Sequence, residues 1–292
     1  MIINLVKKEK GTNYTISRFP DGQQQLTING PIEPNPVGFL KAKIISRLNN
    51  FKDLELILCA TASLKEIGYK HIDLRVPYFI GARSDRKFEP GGNNYLKSVI
   101  CPIINAQGYD SVTVLDPHSD VLEACLDNFK KENNFSLVKH ALTKIDNTND
   151  ARNKIAVVSP DAGALKKVFD VVQEFNIYNL LIGSKHRDVK SGEITHTEIT
   201  NIENSTASKF VIIDDICDGG RTFIELSKVI KKYHPNAEVY LIVSHGIFSK
   251  GLLNLDHHFT KIFTTNSVKD IDAVEYSDYT VRKTFLDQLD IF

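Results

Sequence analysis

The sequence predicts an α/β protein built from mostly parallel sheets flanked by helices, and three observations carry that expectation. Apolar runs such as Lys154-Ile-Ala-Val-Val158 and Lys209-Phe-Val-Ile-Ile213 are continuous rather than alternating, which marks strands buried on both faces. Each run leads into a short polar or glycine-bearing turn and then a stretch of helical periodicity, the signature of successive βα units. The chain has 292 residues, 42% of them hydrophobic, enough for two domains that each bury a core.

In order, Tyr14 to Ile28 reads as a hairpin turning at Pro20-Asp21-Gly22. Leu54, Ile57, Leu58, Thr61 and Leu64 fall at helical spacing behind Asn49-Asn50, a suitable N-cap region. Ser111–Leu115 is a strand, followed by the turn Asp116-Pro-His118-Ser-Asp120 and a short helix from Val121. The polar stretch from Phe129 to Asn153 is the expected boundary, giving domains of residues 1–147 and 148–292. Beyond it, Lys154–Val158 leads into Ser159-Pro-Asp161-Ala-Gly163 and a helix through Val172. Ile177–Ile182 leads into the basic loop Gly183-Ser-Lys185-His-Arg187-Asp-Val-Lys190-Ser-Gly192. Lys209–Ile213 leads into Asp214-Asp215-Ile-Cys-Asp218-Gly219-Gly220-Arg221-Thr222 and a helix through Ile230, and Glu238–Val243 is a further buried strand.

Composition excludes several functions. With 36 Lys+Arg against 36 Asp+Glu, there is no broad positive footprint for nucleic acid or an anionic membrane. No apolar stretch approaches the ~18 residues of a membrane span, and the N-terminal apolar run meets Lys7-Lys8 too early for a signal peptide. The four cysteines, Cys59, Cys101, Cys125 and Cys217, show no C-x-x-C pairing or zinc-finger spacing, so reduced thiols in a cytoplasmic protein are expected. Cys217 reads as a small packing residue. The chain also lacks G-x-x-x-x-G-K-[ST], H-E-x-x-H and G-x-S-x-G, so neither a P-loop nor those hydrolytic sites are present.

In open α/β sheets, ligands bind beyond the carboxyl ends of the strands, and the polar turns fall there. The richest is Asp214 to Thr222. Two adjacent acids at a buried strand need hydroxyls, a metal or donors to offset their desolvation. The glycine-bearing loop behind them opens a helix, where backbone N–H groups and the helix dipole favour a phosphate. Acids beside a phosphate cradle suit a sugar phosphate. The competing interpretation is a plain turn capped by Asp218.

This segment resembles the phosphoribosyl diphosphate-binding motif of phosphoribosyltransferases and ribose-phosphate diphosphokinases, with Gly219 where Thr is usual and Arg221 where a second Gly is usual. Further segments resemble the diphosphokinases in particular. They are Arg18-Phe19-Pro20-Asp21-Gly22-Gln23, Pro77-Tyr78-Phe79-Ile80-Gly81-Ala82-Arg83-Ser84-Asp85-Arg86-Lys87, Asp116-Pro117-His118, Val157-Val158-Ser159-Pro160-Asp161-Ala162-Gly163 and Ser244-His245-Gly246-Ile247-Phe248-Ser249. They follow that family's order, with Gln23 replacing its Glu and Ser84 its Gln.

The resemblance implies two phosphoribosyltransferase-like α/β domains, with ATP and ribose 5-phosphate as substrates and Mg²⁺ as cofactor. It implies that Phe19, Asp21, Gln23, Arg83, Ser84, Asp85, Arg86 and His118 bind ATP, the hairpin residues reaching the nucleotide of a neighbouring subunit in a homo-oligomer. Asp214, Asp215, Asp218, Gly219, Gly220, Arg221 and Thr222 would bind ribose 5-phosphate, the acid pair holding ribose hydroxyls or a second metal. His118 and Asp161 would place the metal. Lys185 and Arg187, on a basic lid, would be the catalytic pair. Diphosphoryl transfer asks mainly for positioning and charge neutralisation, which two lid cations supply. The family's regulatory loop corresponds to Phe88–Tyr95, which has no basic residue between Lys87 and Lys97, so phosphate dependence and ADP allostery are expected to be weak or absent. Two alternatives are a catalytically silent regulatory homologue and a phosphoribosyltransferase that consumes the diphosphate.

Overall fold

The computed structural model describes residues 1–7, 14–29, 40–146, 154–187, 194–271 and 285–292, with backbone alone at 185–187 and 194–196. It forms two compact units, Met1–Asn133 with Phe292, and Asn134–Ile291. Each contains a mostly parallel sheet flanked by helices, as the apolar runs required.

In the first unit, β1 (Ile2–Asn4) is followed by a hairpin of β2 (Tyr14–Arg18) and β3 (Gln24–Ile28), then β4 (Lys41–Ile45), β5 (His71–Arg75), β6 (Ser111–Leu115) and β7 (Phe129–Glu132). The main sheet has the order β1-β4-β5-β6-β7 and is parallel throughout. Helix α1 (Phe51–Glu66) starts at Asn50, whose side chain accepts from the N–H groups of Lys52 and Asp53. Such a cap is worth about 1 kcal/mol. Its inward stripe is Leu54, Ile57, Ala60, Thr61 and Leu64, residues that recur on one face of a 3.6-residue period. The hairpin docks on this helix. Gln24 Nε2 donates to Lys52 O and Glu55 Oε2, both at 2.9 Å, while Tyr14 and Leu26 enter the core. The short helices α2 (Cys101–Asn105) and α3 (Val121–Cys125) complete this unit.

The second unit begins with α4 (Phe135–Ile145). Strands β8 (Ile155–Ser159), β9 (Asn179–Arg187), β10 (Ile194–Ile199), β11 (Lys209–Cys217), β12 (Glu238–Gly246), β13 (Lys261–Thr265) and β14 (Leu286–Leu289) follow, interleaved with α5 (Leu165–Glu174), α6 (Arg221–Tyr233) and α7 (Leu253–Asp256). The sheet order is β10-β9-β8-β11-β12-β13-β14, with only β9 and β10 antiparallel. Alternate residues of one strand feed two cores. Val211 and Ile213 pack with Val138, Val168 and Val171 of α4 and α5, and Phe210 and Ile212 pack with Leu226 and Ile230 of α6. That period of two is why a continuous apolar run is required.

Three local expectations change. The units divide at Asn133/Asn134 rather than at 147/148, because Leu137, Val138, Ala141 and Ile145 of α4 bury themselves against the second sheet's core. The stretch from Phe129 therefore contains β7 and α4 rather than a linker, and residues 147–153 lie outside the described residues. Strand β11 does not stop at Ile213. Its pairing continues through Asp214 with Val243, Ile216 with His245 and Cys217 with Gly246, so the acid pair lies within the strand. The expected basic loop is in part a β-ribbon, with Lys185 opposite Thr197 and Arg187 opposite Ile194, and residues 188–193 are outside the described residues.

Candidate functional site

The first-unit residues expected to bind nucleotide around Arg83 and His118 fall beyond the carboxyl ends of adjacent strands. Leu115 N–H donates to Pro77 O at 3.0 Å, so the chains leaving β5 and β6 start side by side. The first folds into a tight loop: Ser84 N–H donates to Gly81 O (2.8 Å), Leu96 N–H to Ser84 O (3.2 Å) and Asn94 Nδ2 to Asp85 O (2.7 Å). Gly81 has a φ of 77°, and a Cβ there would lie 2.5 Å from the Tyr95 ring, so only glycine fits. This fixes Ser84 and Asp85 half-buried, with Arg83 and Arg86 exposed and the Arg86 guanidinium 5.5 Å from the centre of the Phe88 ring. The second chain turns at Asp116, buried with a φ of 39°, and presents His118 at the surface.

Phe19, Asp21 and Gln23 form the tip of the β2–β3 hairpin. Phe19 N–H donates to Gln23 O and Gly22 N–H to Phe19 O, both at 2.9 Å, and Gln23 N–H donates to Asp21 Oδ1 at 3.1 Å. All three residues are exposed, Phe19 at 49%. A half-exposed phenyl ring on a rigid turn is suited to stacking on a flat ligand.

In the second unit, the acids converge at the carboxyl ends of the parallel strands. Asp161 follows β8, and its Oδ1 accepts from Gly163 and Ala164 N–H, each at 3.1 Å, which fixes the turn into α5. Asp214 Oδ1 accepts from Asp215 N–H at 2.8 Å. Burial, then the neighbouring Asp215 and Asp161, hold the Asp214 carboxyl well above the ordinary carboxylate range. Asp215 is only 5% exposed, and Lys167 Nζ of α5 lies 3.5 Å from its Oδ2. Sequence reasoning missed Lys167, because a lysine in an amphipathic helix reads as solvated. Cys217 is fully buried, and burial, then Asp214 and Asp218, push its thiol upward. It packs and does not react.

The loop behind the acids is built for close approach. Gly220 has a φ of 77° and serves as the N-cap of α6, with no side-chain cap hydrogen bond. A Cβ on Gly220 would lie 2.7 Å from Leu255 Cδ2. The segment after β12 supports the loop from below: Ile247 and Phe248 N–H both donate to Cys217 O, at 2.9 and 3.1 Å. A Cβ on Gly219 would sit 3.5 Å from Lys250 Cδ, so the residue that replaces the usual Thr is occupied from outside by a lysine stem. Arg221 is exposed and Thr222 half-buried in the first turn of α6, where the dipole favours an anion. Strand β9 passes close by, since a Cβ on Gly183 would meet Pro160 O at 2.9 Å and Ser159 O at 3.0 Å. The backbone of Lys185 and Arg187 thus rises from beside the Asp161 turn.

Asp161, Asp214, Asp215, Asp218 and the 219–222 loop thus belong to one end of one sheet, and Arg83–Arg86 and His118 to one end of the other. His118 and Asp161 belong to different units. Among the described residues no three His, Cys, Asp or Glu side chains are grouped to hold a metal ion.

Comparison with known proteins agrees with this geometry. Residues 126–279 match the family model "Phosphoribosyl transferase domain". The chain is 26% identical over 238 residues to a ribose-phosphate pyrophosphokinase of Marinomonas sp. (strain MWYL1), covering 81% of this chain and 72% of that one. It is 27% identical over 276 residues to that of Sulfurisphaera tokodaii, covering 91% and 89%. The fold matches the crystal structure of phosphoribosylpyrophosphate synthetase from Mycobacterium smegmatis with a TM-score of 0.77 at 17% identity, over 96% of this chain and 86% of that one. The chain belongs to the phosphoribosyl transferase domain family, in its ribose-phosphate pyrophosphokinase branch.

Proposed function

We propose that this protein transfers the β,γ-diphosphoryl group of Mg-ATP to the C1 hydroxyl of ribose 5-phosphate, giving 5-phosphoribosyl 1-diphosphate and AMP. The observation that carries this reading is the run of β11 through Asp214 and Asp215 into the Gly219-Gly220 turn and the start of α6. It sets sugar-hydroxyl acceptors and a phosphate cradle one loop apart. Asp214 and Asp215 accept from the ribose hydroxyls. The N–H groups around Gly219 to Thr222 and the charge of Arg221 receive the 5-phosphate.

On the nucleotide side, Arg83 and Arg86 address phosphates, Ser84 and Asp85 the nucleoside, and Phe19, Asp21 and Gln23 the adenine of a neighbouring subunit. Lys185 and Arg187 neutralise the charge that builds on the transferring group and exclude water as their ribbon closes. For Mg²⁺, Asp161 offers the hard carboxylate oxygen that the ion prefers. With no three-donor cluster among the described residues, most of the shell falls to nucleotide oxygens and water. Bound there, the ion supplies charge neutralisation on the phosphates.

No helix among the described residues is long and apolar enough to cross a membrane. The free thiols fit a reducing compartment, and we assign the protein to the cytoplasm.

The test is one incubation of the full chain with ribose 5-phosphate, ATP and Mg²⁺, with nucleotides resolved by chromatography and the diphosphate by ³¹P NMR. Equal amounts of AMP and phosphoribosyl diphosphate are expected. Release of ADP or absence of AMP would reject the reading, the latter in favour of a silent homologue. Consumption of added diphosphate with a free base would mark a transferase.

A further inference from the structure

Behind the acid pair lies a lysine whose nitrogen is buried although its side chain is 21% exposed, and whose role the reaction scheme leaves open. Lys167 lies in the first turns of α5, beside the core residue Val168, and its Nζ has essentially no solvent-exposed surface. Burying an ammonium is costly unless a carboxylate neutralises it, and a methionine would fill the same stem volume without that cost. The carboxylate is Asp215, whose side chain is 7% exposed, with Oδ2 3.5 Å from the lysine nitrogen. That distance is looser than a charge-assisted hydrogen bond of about 2.7–2.9 Å. Lys167 therefore biases the orientation of Asp215 while leaving it able to accept from another partner. The turn that launches α5 is the one Asp161 fixes through Gly163 and Ala164, so one short segment sets both the acid at the end of β8 and the lysine behind the acid pair.

We propose that Lys167 is a positioning residue of the sugar site, holding the Asp215 carboxylate so that the acid pair presents one fixed set of acceptors to the vicinal hydroxyls of ribose 5-phosphate. The inference rests on reading β11 and its loop as the ribose 5-phosphate site. Lys167 touches no substrate in this role and acts through Asp215. Its loss therefore weakens sugar binding while leaving the nucleoside contacts, carried by residues of the other unit, unchanged.

The experiment compares the full-length wild type with Lys167→Met, Lys167→Arg, Asp215→Asn and the Lys167→Met/Asp215→Asn double variant. Ribose 5-phosphate binding is measured by titration calorimetry without ATP, and KM for each substrate by AMP release. Lys167→Met is expected to weaken ribose 5-phosphate binding and raise its KM by about tenfold or more, with KM for ATP within about twofold. Lys167→Arg should recover most of the loss. The double variant should be no worse than Asp215→Asn alone, because both substitutions remove the same contact.

Wild-type sugar affinity in Lys167→Met, additive losses in the double variant, or equal weakening of both substrates would overturn the proposal. Should Lys167→Met not fold, Lys167→Arg and Lys167→Gln carry the same comparison. A wild type that binds ribose 5-phosphate yet releases no AMP defeats the transfer reaction and leaves this inference standing. A wild type that binds no ribose 5-phosphate defeats both.

Discussion

Lys185 and Arg187 are set on backbone rather than on a free loop. Strand β9 leaves its parallel partner β8 at Ser159 and Ile182 and continues as one arm of a ribbon with β10. Gly183 permits this, because a side chain there would strike Leu226 and the carbonyls of Ser159 and Pro160. A cation carried on a paired strand is delivered with less conformational freedom to lose than one on an unpaired loop. Lys185→Ala is accordingly expected to lower kcat by about 100-fold or more, with ATP affinity by equilibrium dialysis changed less than about threefold. Turnover close to wild type would remove the catalytic assignment. At this scale the sequence was legible where residue type and place agree: paired acids beyond an apolar run, glycines before a helix. It was silent on Lys167 and Lys250, since a lysine's significance here comes from neighbours on other elements, Asp215 and Gly219.

Strand β14 shows what an element needs beyond propensity. Its residues are all half-buried, and its anchor is Asp287, whose Oδ1 lies 2.8 Å from His140 Nε2 and whose Oδ2 lies 2.8 Å from Lys144 Nζ and 3.4 Å from Lys261 Nζ. Burial raises this carboxyl's pKa, but the hydrogen bonds from Lys144 and His140 and the lysine charges outweigh it and bring the pKa down to about 2. A depressed carboxylate pKa gives stability that is fully present above the unfolded value near 4 and is lost as pH falls through about 2. The contribution is about 1–2 kcal/mol after solvent screening. Asp287→Asn should therefore lower the thermal midpoint at pH 7, and the gap to wild type should close between about pH 4 and pH 2. A gap independent of pH would discard the ion cluster as its cause. Element type was well legible here and element length less so. The apolar run before Asp214 ends in sequence, yet ladder bonds to β12 carry β11 four residues further. Helix α4 was hidden by the asparagines around it, although Leu137, Val138, Ala141 and Ile145 already had the period of a buried face.

For the molecule as a whole, equal numbers of positive and negative residues conceal a local separation of sign. Asp161, Asp214, Asp215 and Asp218 gather at the carboxyl end of one sheet, while Arg83 and Arg86 lie beyond the carboxyl end of a strand of the other. This suits a pair of small polyanions and not an extended one. Regulation follows the same reasoning. Segment 88–95 carries Glu89 and no cation, and Asn94 bonds it back to Asp85 O, so it brings no positive charge of its own to a second nucleotide diphosphate. ADP is expected to inhibit hyperbolically, in competition with ATP, with full activity in the absence of inorganic phosphate. Sigmoidal ADP inhibition abolished by altering this segment would contradict that.

The Asp287 anchor also orders events during synthesis. Its contact with His140 spans 147 positions, and β14 completes a sheet whose first strand begins at Ile155, whereas the last strand of the first unit's sheet ends at Glu132. On the ribosome the first unit can assemble its sheet early. The second must wait, with its most apolar strands made and their edge unpaired, until Asp287 emerges. That interval is where nascent chains are most exposed to chaperones and to aggregation.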